Sequence, residues 1–120
     1  MKTILVAEDN DSNYILMTYI LKRRYEIKRA CNGKEAVEEV DKGGIDLVLM
    51  DLKMPVMDGL EATRTIREKH TDLPIIALTA NAFDSDRKLA MEAGCNAFLP
   101  KPVSSESCLR AIAKCLGEGE

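Results

Sequence analysis

Tryptophan is absent, and three Tyr and two Phe are the only aromatic residues among the 120. So few rings disfavour a platform on which nucleic-acid bases stack. Positive charge is not in excess either: 17 Lys and Arg against 20 Asp and Glu leave −3 at pH 7. Holding a phosphate backbone needs a cationic face, so direct nucleic-acid binding is not expected. No apolar run approaches the roughly 20 residues of a spanning helix. No charged-then-apolar leader precedes Ile4, so neither membrane insertion nor a secretory signal is expected of this segment. Seven Gly and four Pro are too few for a fibrous or disordered chain. One His, and four Cys (31, 95, 108 and 115) with no Cys-x-x-Cys among them, give no zinc-ligand spacing. The cysteines read as reduced, small core residues of a cytosolic protein.

What is present is hydrophobic material, 46% of the chain, sufficient for the core of one domain. It is concentrated in continuous runs at Ile4–Ala7, Leu47–Met50 and Ile75–Leu78. Each is too short for a helix and none alternates with polar residues, which is the pattern of strands buried on both faces of a parallel sheet. Glu26–Cys31 and Asn96–Leu99 are weaker strand candidates. Helical patterns fill the gaps: Asp11–Arg23 with Asp11 or Ser12 as cap, Lys34–Asp41 stopped by Gly43-Gly44, Leu60–Lys69, and Phe83–Ala93 ended by Gly94. The last helix carries Leu109, Ile112, Ala113 and Leu116 on one stripe, capped by Ser104 or Ser105 and ended by Gly117. Met50 and Met91 read as core filler, and His70 as an exposed bystander. Strict alternation predicts an α/β fold of right-handed βαβ crossovers with helices on both faces of one sheet. Residues 1–117 make one domain, and 118–120 a frayed tail.

Polar residues follow the apolar runs. Counted by strand, Glu8-Asp9 ends the first, Asp51 the third and Thr79 the fourth, while Lys101 follows the fifth. In a parallel sheet all carboxyl ends lie on one edge, where open α/β sheets bind their ligands. A single carboxylate there reads as a cap or a solvated loop residue, but the set does not. Two unit charges 4 Å apart repel by about 4 kcal/mol at an effective dielectric near 20. Such a cluster persists when a cation binds it or one member is protonated. Oxygen-only ligands favour a hard divalent ion, Mg²⁺ first. Asp51, alone on the central run, suits a nucleophile that takes a phosphoryl group as an acyl phosphate. Lys101, Thr79 and backbone N–H groups could then balance charge on its oxygens.

Glu8-Asp9, Met50-Asp51, Met54-Pro55-x-Met57-Asp58-Gly59, Leu78-Thr79-Ala80 and Lys101-Pro102 together resemble the receiver domain of two-component response regulators, from Ile4 to Leu116. The resemblance implies a (βα)₅ flavodoxin-like fold with strand order 2-1-3-4-5. It implies Asp51 as phosphoacceptor, and Asp9, Asp51 and the Lys53 backbone carbonyl as Mg²⁺ ligands, with Glu8 acting through water and Mn²⁺ as the alternative ion. Thr79 and Lys101 would hold phosphoryl oxygens, Thr79 and Phe98 would form a switch, and the Lys101–Pro102 bond would be cis. The partner implied is a histidine kinase or a histidine phosphotransfer domain. Glu8-Asp9-Asn10 with Asn13, Leu60-Glu61-Ala62-Thr63-Arg64 and Leu78-Thr79-Ala80-Asn81-Ala82 further resemble receivers fused to hybrid sensor histidine kinases. That origin would make this the cytoplasmic part of a membrane protein, and a stand-alone cytoplasmic receiver is the alternative.

The helix Asp11–Arg23 has more apolar residues than one buried stripe needs. Met17, Ile20 and Leu21 share the arc toward the sheet, Ile15 and Tyr19 fall on the wet arc, and Leu16 lies on the border. The apolar set Ile15, Leu16 and Tyr19 is expected to dock a histidine-bearing helical bundle. Three rivals are weaker. A haloacid-dehalogenase-like phosphohydrolase wants a second Asp where Lys53 stands. A pseudo-receiver would have lost acidic, Thr or Lys positions that are kept here. A flavodoxin-like nucleotide binder wants a glycine-rich loop after the first strand, and none follows it.

Overall fold

In the computed structural model, which describes residues 1–80 and 84–118, five parallel strands form one sheet in the order β2-β1-β3-β4-β5. They are β1 (Thr3–Ala7), β2 (Glu26–Ala30), β3 (Leu47–Asp51), β4 (Ile75–Thr79) and β5 (Ala97–Pro100). The helices between and after them are α1 (Asp11–Leu21), α2 (Gly33–Lys42), α3 (Gly59–Arg67), α4 (Asp84–Ala93) and α5 (Ser105–Leu116). The doubly wound (βα)₅ expectation and its strand order are met.

The continuous apolar runs occupy the centre because a strand covered on both faces has no wet side on which to alternate. Every residue of β3 and β4 is buried. Alternate side chains feed two cores. Leu5, Ala7, Val48, Met50, Ile75 and Ala77 face α2, α3 and α4, while Ile4, Val6, Leu47, Leu49, Ile76 and Leu78 face α1 and α5. Each fully buried Leu or Ile stabilises the fold by about 1.5–3 kcal/mol relative to its exposed state. The edge strands are wetter: β2 alternates exposed and half-buried residues up to its buried last residue, Ala30, and β5 splits Phe98 to the α2/α3/α4 side and Leu99 to the α1/α5 side.

Element ends moved by one or two residues, for reasons of capping. Asn10, not Asp11 or Ser12, caps α1, its side chain accepting the Asn13 N–H, and the helix stops at Leu21 rather than Arg23. Asn32 and Asp58 cap α2 and α3 in the same way, so both helices begin at the glycine that follows. Ser104 caps α5, which Gly117 ends in a left-handed conformation. The expected start of α4 at Phe83, with Asn81 and Ala82 before it, lies outside the described residues.

Several lesser expectations are corrected. Cys31 is exposed rather than core, since β2 ends one residue earlier at Ala30. Met91 is exposed on α4, whose buried face is set by Ala90 and Ala93. His70 bonds Asp41 at 2.9 Å, tying the end of α2 to the end of α3. Glu118, read as the first residue of a frayed tail, accepts from the Tyr25 hydroxyl at 3.0 Å and donates its N–H to Ala113. Burial of Tyr25 and this carboxylate neighbour push the phenol up to about 12. Residues 119–120 lie outside the described residues.

Candidate functional site

The chain runs from β1 through α1 to β2 on one side, then returns through α2 across the opposite face to β3. That reversal opens a crevice at the carboxyl ends of β1 and β3. Asp51 is the last residue of β3, and Glu8 and Asp9 follow β1 directly. One carboxylate oxygen from each of Glu8, Asp9 and Asp51 lies within 4.8 Å of the others. Glu8 and Asp51 are buried, and Asp9 is exposed at the mouth.

Lys101 supplies the nearest cation. Its Nζ lies 2.8 Å from Glu8 Oε1 and 3.2 Å from Asp51 Oδ2. The Lys101–Pro102 bond is cis, and the Lys101 N–H donates to the Thr79 carbonyl at 2.7 Å, fixing the lysine beside the end of β4. Thr79 is buried there. The Lys53 N–H reaches Asp51 Oδ1 at 3.3 Å, and the Asn10 N–H reaches Glu8 Oε2 at 3.3 Å.

Burial pushes the Asp51 carboxyl up to about 6, and the neighbouring Glu8 charge adds to this while Lys101 opposes it. For Lys101 burial works against the charged form, but the bonds to Glu8 and Asp51 outweigh it, and its pKa is raised. The cluster sets three carboxyl groups against the single Lys101 ammonium that contacts Glu8 and Asp51. Its donors are all oxygen, the set a hard divalent cation takes.

A cleft of about 540 Å³ opens on this edge, lined by Asp9, Leu52, Lys53, Met54, Pro55, Asp58, Leu60, Thr79 and Asp86. Its floor is held tightly. A side chain at Gly59 would put Cβ 2.3 Å from the Asp51 carbonyl oxygen, so only glycine lets α3 start this close to β3. In the bordering turn the Met57 N–H donates to the Pro55 carbonyl at 2.8 Å across Val56, whose φ is 71°.

The sequence-derived residues separate into two groups. Glu8, Asp9, Asp51, Thr79, Lys101 and the Lys53 backbone meet at the cleft. Phe98 packs, partly buried, on the α2/α3/α4 side of β5, level with Ala77 and two residues before the partner of Thr79. Ile15, Leu16 and Tyr19 lie on α1, exposed by 52%, 45% and 67%. Two residues were not legible in the sequence. Asp86 enters the cleft from α4. Arg29, on an edge strand, donates from Nε and Nη2 to the Glu8 carbonyl at 3.2 and 3.1 Å. No local motif marks either one, because each reaches the site across the fold.

Comparisons with known proteins point to one family. The family described as "Response regulator receiver domain" matches residues 4–113. Hybrid signal transduction histidine kinase B of Dictyostelium discoideum is 41% identical over 128 residues; the match covers 95% of this chain but only 6% of the kinase. The receiver domain of the sensor histidine kinase PA1611 from Pseudomonas aeruginosa, whose structure has a magnesium ion coordinated in its active-site cleft, superposes with a TM-score of 0.91 at 36% identity, covering 98% of both chains. The receiver domain of Saccharomyces cerevisiae Ssk1, solved in complex with the histidine phosphotransfer protein Ypd1, superposes with a TM-score of 0.88 at 32% identity, covering 94% of this chain and 87% of that one. Among the described residues no helix is long and apolar enough to cross a membrane. By its fold, the acidic cluster at its switch point and these matches, the chain belongs to the response-regulator receiver family of two-component signalling.

Proposed function

We propose that Asp51 accepts a phosphoryl group from a phosphohistidine carried by a histidine kinase or a histidine phosphotransfer domain. The observation that carries this reading is the contact of one lysine, Lys101, with both Glu8 and Asp51 inside an all-oxygen cluster. An Asp51 carboxylate oxygen attacks phosphorus, the phosphorus–nitrogen bond breaks, and the imidazole leaves with the electron pair. The acceptor must be ionised to attack, and Lys101 favours that form, opposing the burial and the Glu8 charge that push its pKa up. Lys101 and the Thr79 hydroxyl then hold phosphoryl oxygens. Asp9, Asp51 and the Lys53 carbonyl would hold Mg²⁺, with Glu8 acting through water. The bound ion supplies positive charge against the oxygens of the transferring group.

The response spreads through β4 and β5. Thr79 moves toward a phosphoryl oxygen, and Phe98 rotates into the space this leaves. A hydroxyl bond to a charged acceptor is worth about 1.5–3 kcal/mol, enough to bias a two-state element. The responding surface is α4, β5 and α5. The donor docks on Ile15, Leu16 and Tyr19 of α1, and we read the chain as the receiver segment of a hybrid kinase.

Incubation with a small acyl phosphate and Mg²⁺, followed by mass spectrometry, tests the assignment. One phosphoryl group per chain is expected on Asp51 and none on the Asp51→Asn variant. Continuous turnover of the donor would indicate a hydrolase, and no labelling a pseudo-receiver; either result overturns the proposal.

A further inference from the structure

Behind the acidic loop lies a cation outside the catalytic set. Arg29 is on β2 in register with Val6, so its side chain leaves the sheet on the α1 side. It curls around the end of β1. Nε and Nη2 both donate to the Glu8 carbonyl, Nη2 also pairs with Asp11 Oδ1 at 2.9 Å, and the guanidinium lies 4.5 Å above the Tyr14 ring. Three contacts of one rigid fork thus span the loop, from the residue before Asp9 to the first turns of α1.

This loop needs an anchor. It carries two of three mutually repelling carboxylates, and Lys101 reaches Glu8 and Asp51 from the far side. Asp9, at the exposed mouth, is placed by the backbone on either side of it. Glu8 is fixed from its N–H by Ala30 and from its carbonyl by Arg29, and Asn10 begins α1 as its cap.

We propose that Arg29 is a positioning residue: it holds the Glu8–Asp11 loop so that Asp9 and Glu8 stand ready for the divalent ion. The inference rests on the Mg²⁺ site of the proposed function and goes beyond it, since Arg29 touches neither the ion nor the phosphoryl group. A bare charge at Arg29 would act with the opposite sign. A cation near the cluster repels Mg²⁺, so deleting charge alone would tighten binding, whereas deleting an anchor loosens it. Lysine keeps the charge but offers a point ammonium that cannot fork between the Glu8 carbonyl and Asp11 while covering Tyr14.

Titration with Mg²⁺ alone, followed through the amide resonances of Asp9 and Lys53 with no phosphodonor, separates these cases. Arg29→Met, which keeps an apolar stem over Tyr14, should weaken Mg²⁺ binding by about tenfold, as loss of partners beyond the direct ligands does elsewhere. Arg29→Lys should fall between it and the wild type, and it decides alone if Arg29→Met does not fold. Unchanged or tighter binding by Arg29→Met, or Arg29→Lys equal to wild type, overturns the proposal. A lowered melting temperature with an unchanged Mg²⁺ midpoint also overturns it, because that is the mark of a merely structural residue. A wild-type protein that shows no Mg²⁺ response at Asp9 and Lys53 would instead remove the metal site on which the proposal stands.

Discussion

Gly59→Ala sets helix propensity against packing. Gly59 opens α3, and alanine in a helix gains up to about 1 kcal/mol over glycine, less at a first position. A lower entropy of the unfolded chain adds to the same side. Against this, the new Cβ would stand 2.3 Å from the Asp51 carbonyl oxygen and 2.8 Å from the Leu52 Cα, where 3.0 Å is the nearest approach real Cβ atoms make. The main chain must therefore yield by about 0.7 Å, and both obstructing atoms are backbone. Two further bonds resist the shift: the Gly59 N–H to the Leu52 carbonyl at 3.0 Å and the Thr63 hydroxyl to the Gly59 carbonyl at 2.8 Å. Forced overpacking of this kind costs about 1–3 kcal/mol. We expect a net loss of about 1–2 kcal/mol, read as a lower urea midpoint at unchanged slope. The displaced backbone carries the acceptor, and misplacement approaching 1 Å can slow a reaction by about a hundredfold. Labelling of Asp51 by a small phosphodonor should fall at least tenfold, on the order that principle allows. Gly43→Ala is the control. It meets nothing within 4 Å, but its φ of 87° makes a side chain strained. It should lose comparable stability, about 1–3 kcal/mol, and label at the wild-type rate because it ends α2 away from the cleft. Gly59→Ala with wild-type stability, or with wild-type labelling, would refute the reasoning.

Asp51 titrates higher in the fold than in the unfolded chain, from 3.8 to about 6. A raised carboxyl stabilises fully below its unfolded pKa and loses that contribution as pH rises through the folded value. Asp51→Asn should therefore gain stability over the wild type between pH 4 and pH 7, by about 1–2 kcal/mol after allowance for solvent screening; a difference constant across urea melts at those two pH values would contradict the assigned cause. Ile15→Ala with Tyr19→Ala should slow transfer from a protein donor while leaving small-donor labelling and stability near wild type, since both side chains are more than half exposed. Equal slowing with both donors would place their role in the fold instead. In the native protein iodoacetamide should modify exposed Cys31 first, because Cys95 and Cys108 are buried and burial raises their thiol pKa values, Cys108 to about 11. Simultaneous modification of Cys108, followed by peptide mapping, would count against that burial.

The sequence by itself determined the alternation of elements, the central position of the apolar runs and the carboxyl-end set Glu8, Asp9, Asp51, Thr79 and Lys101. These are local signals. A run buried on both faces cannot alternate, a residue that ends a parallel strand must lie on the common edge, and a short motif keeps its spacing whatever packs around it. The tertiary structure decided what depends on two distant segments meeting. Arg29 has no motif because its task, gripping the Glu8 carbonyl, exists only once β2 lies beside β1. Asp86 joins the cleft only when α4 packs beside α3 and β5. His70 reads as a bystander until α3 delivers it to Asp41, and Glu118 as a loose end until Tyr25 reaches it. Side-chain length and direction carry these contacts across the fold, and neither is written in the local pattern of residues.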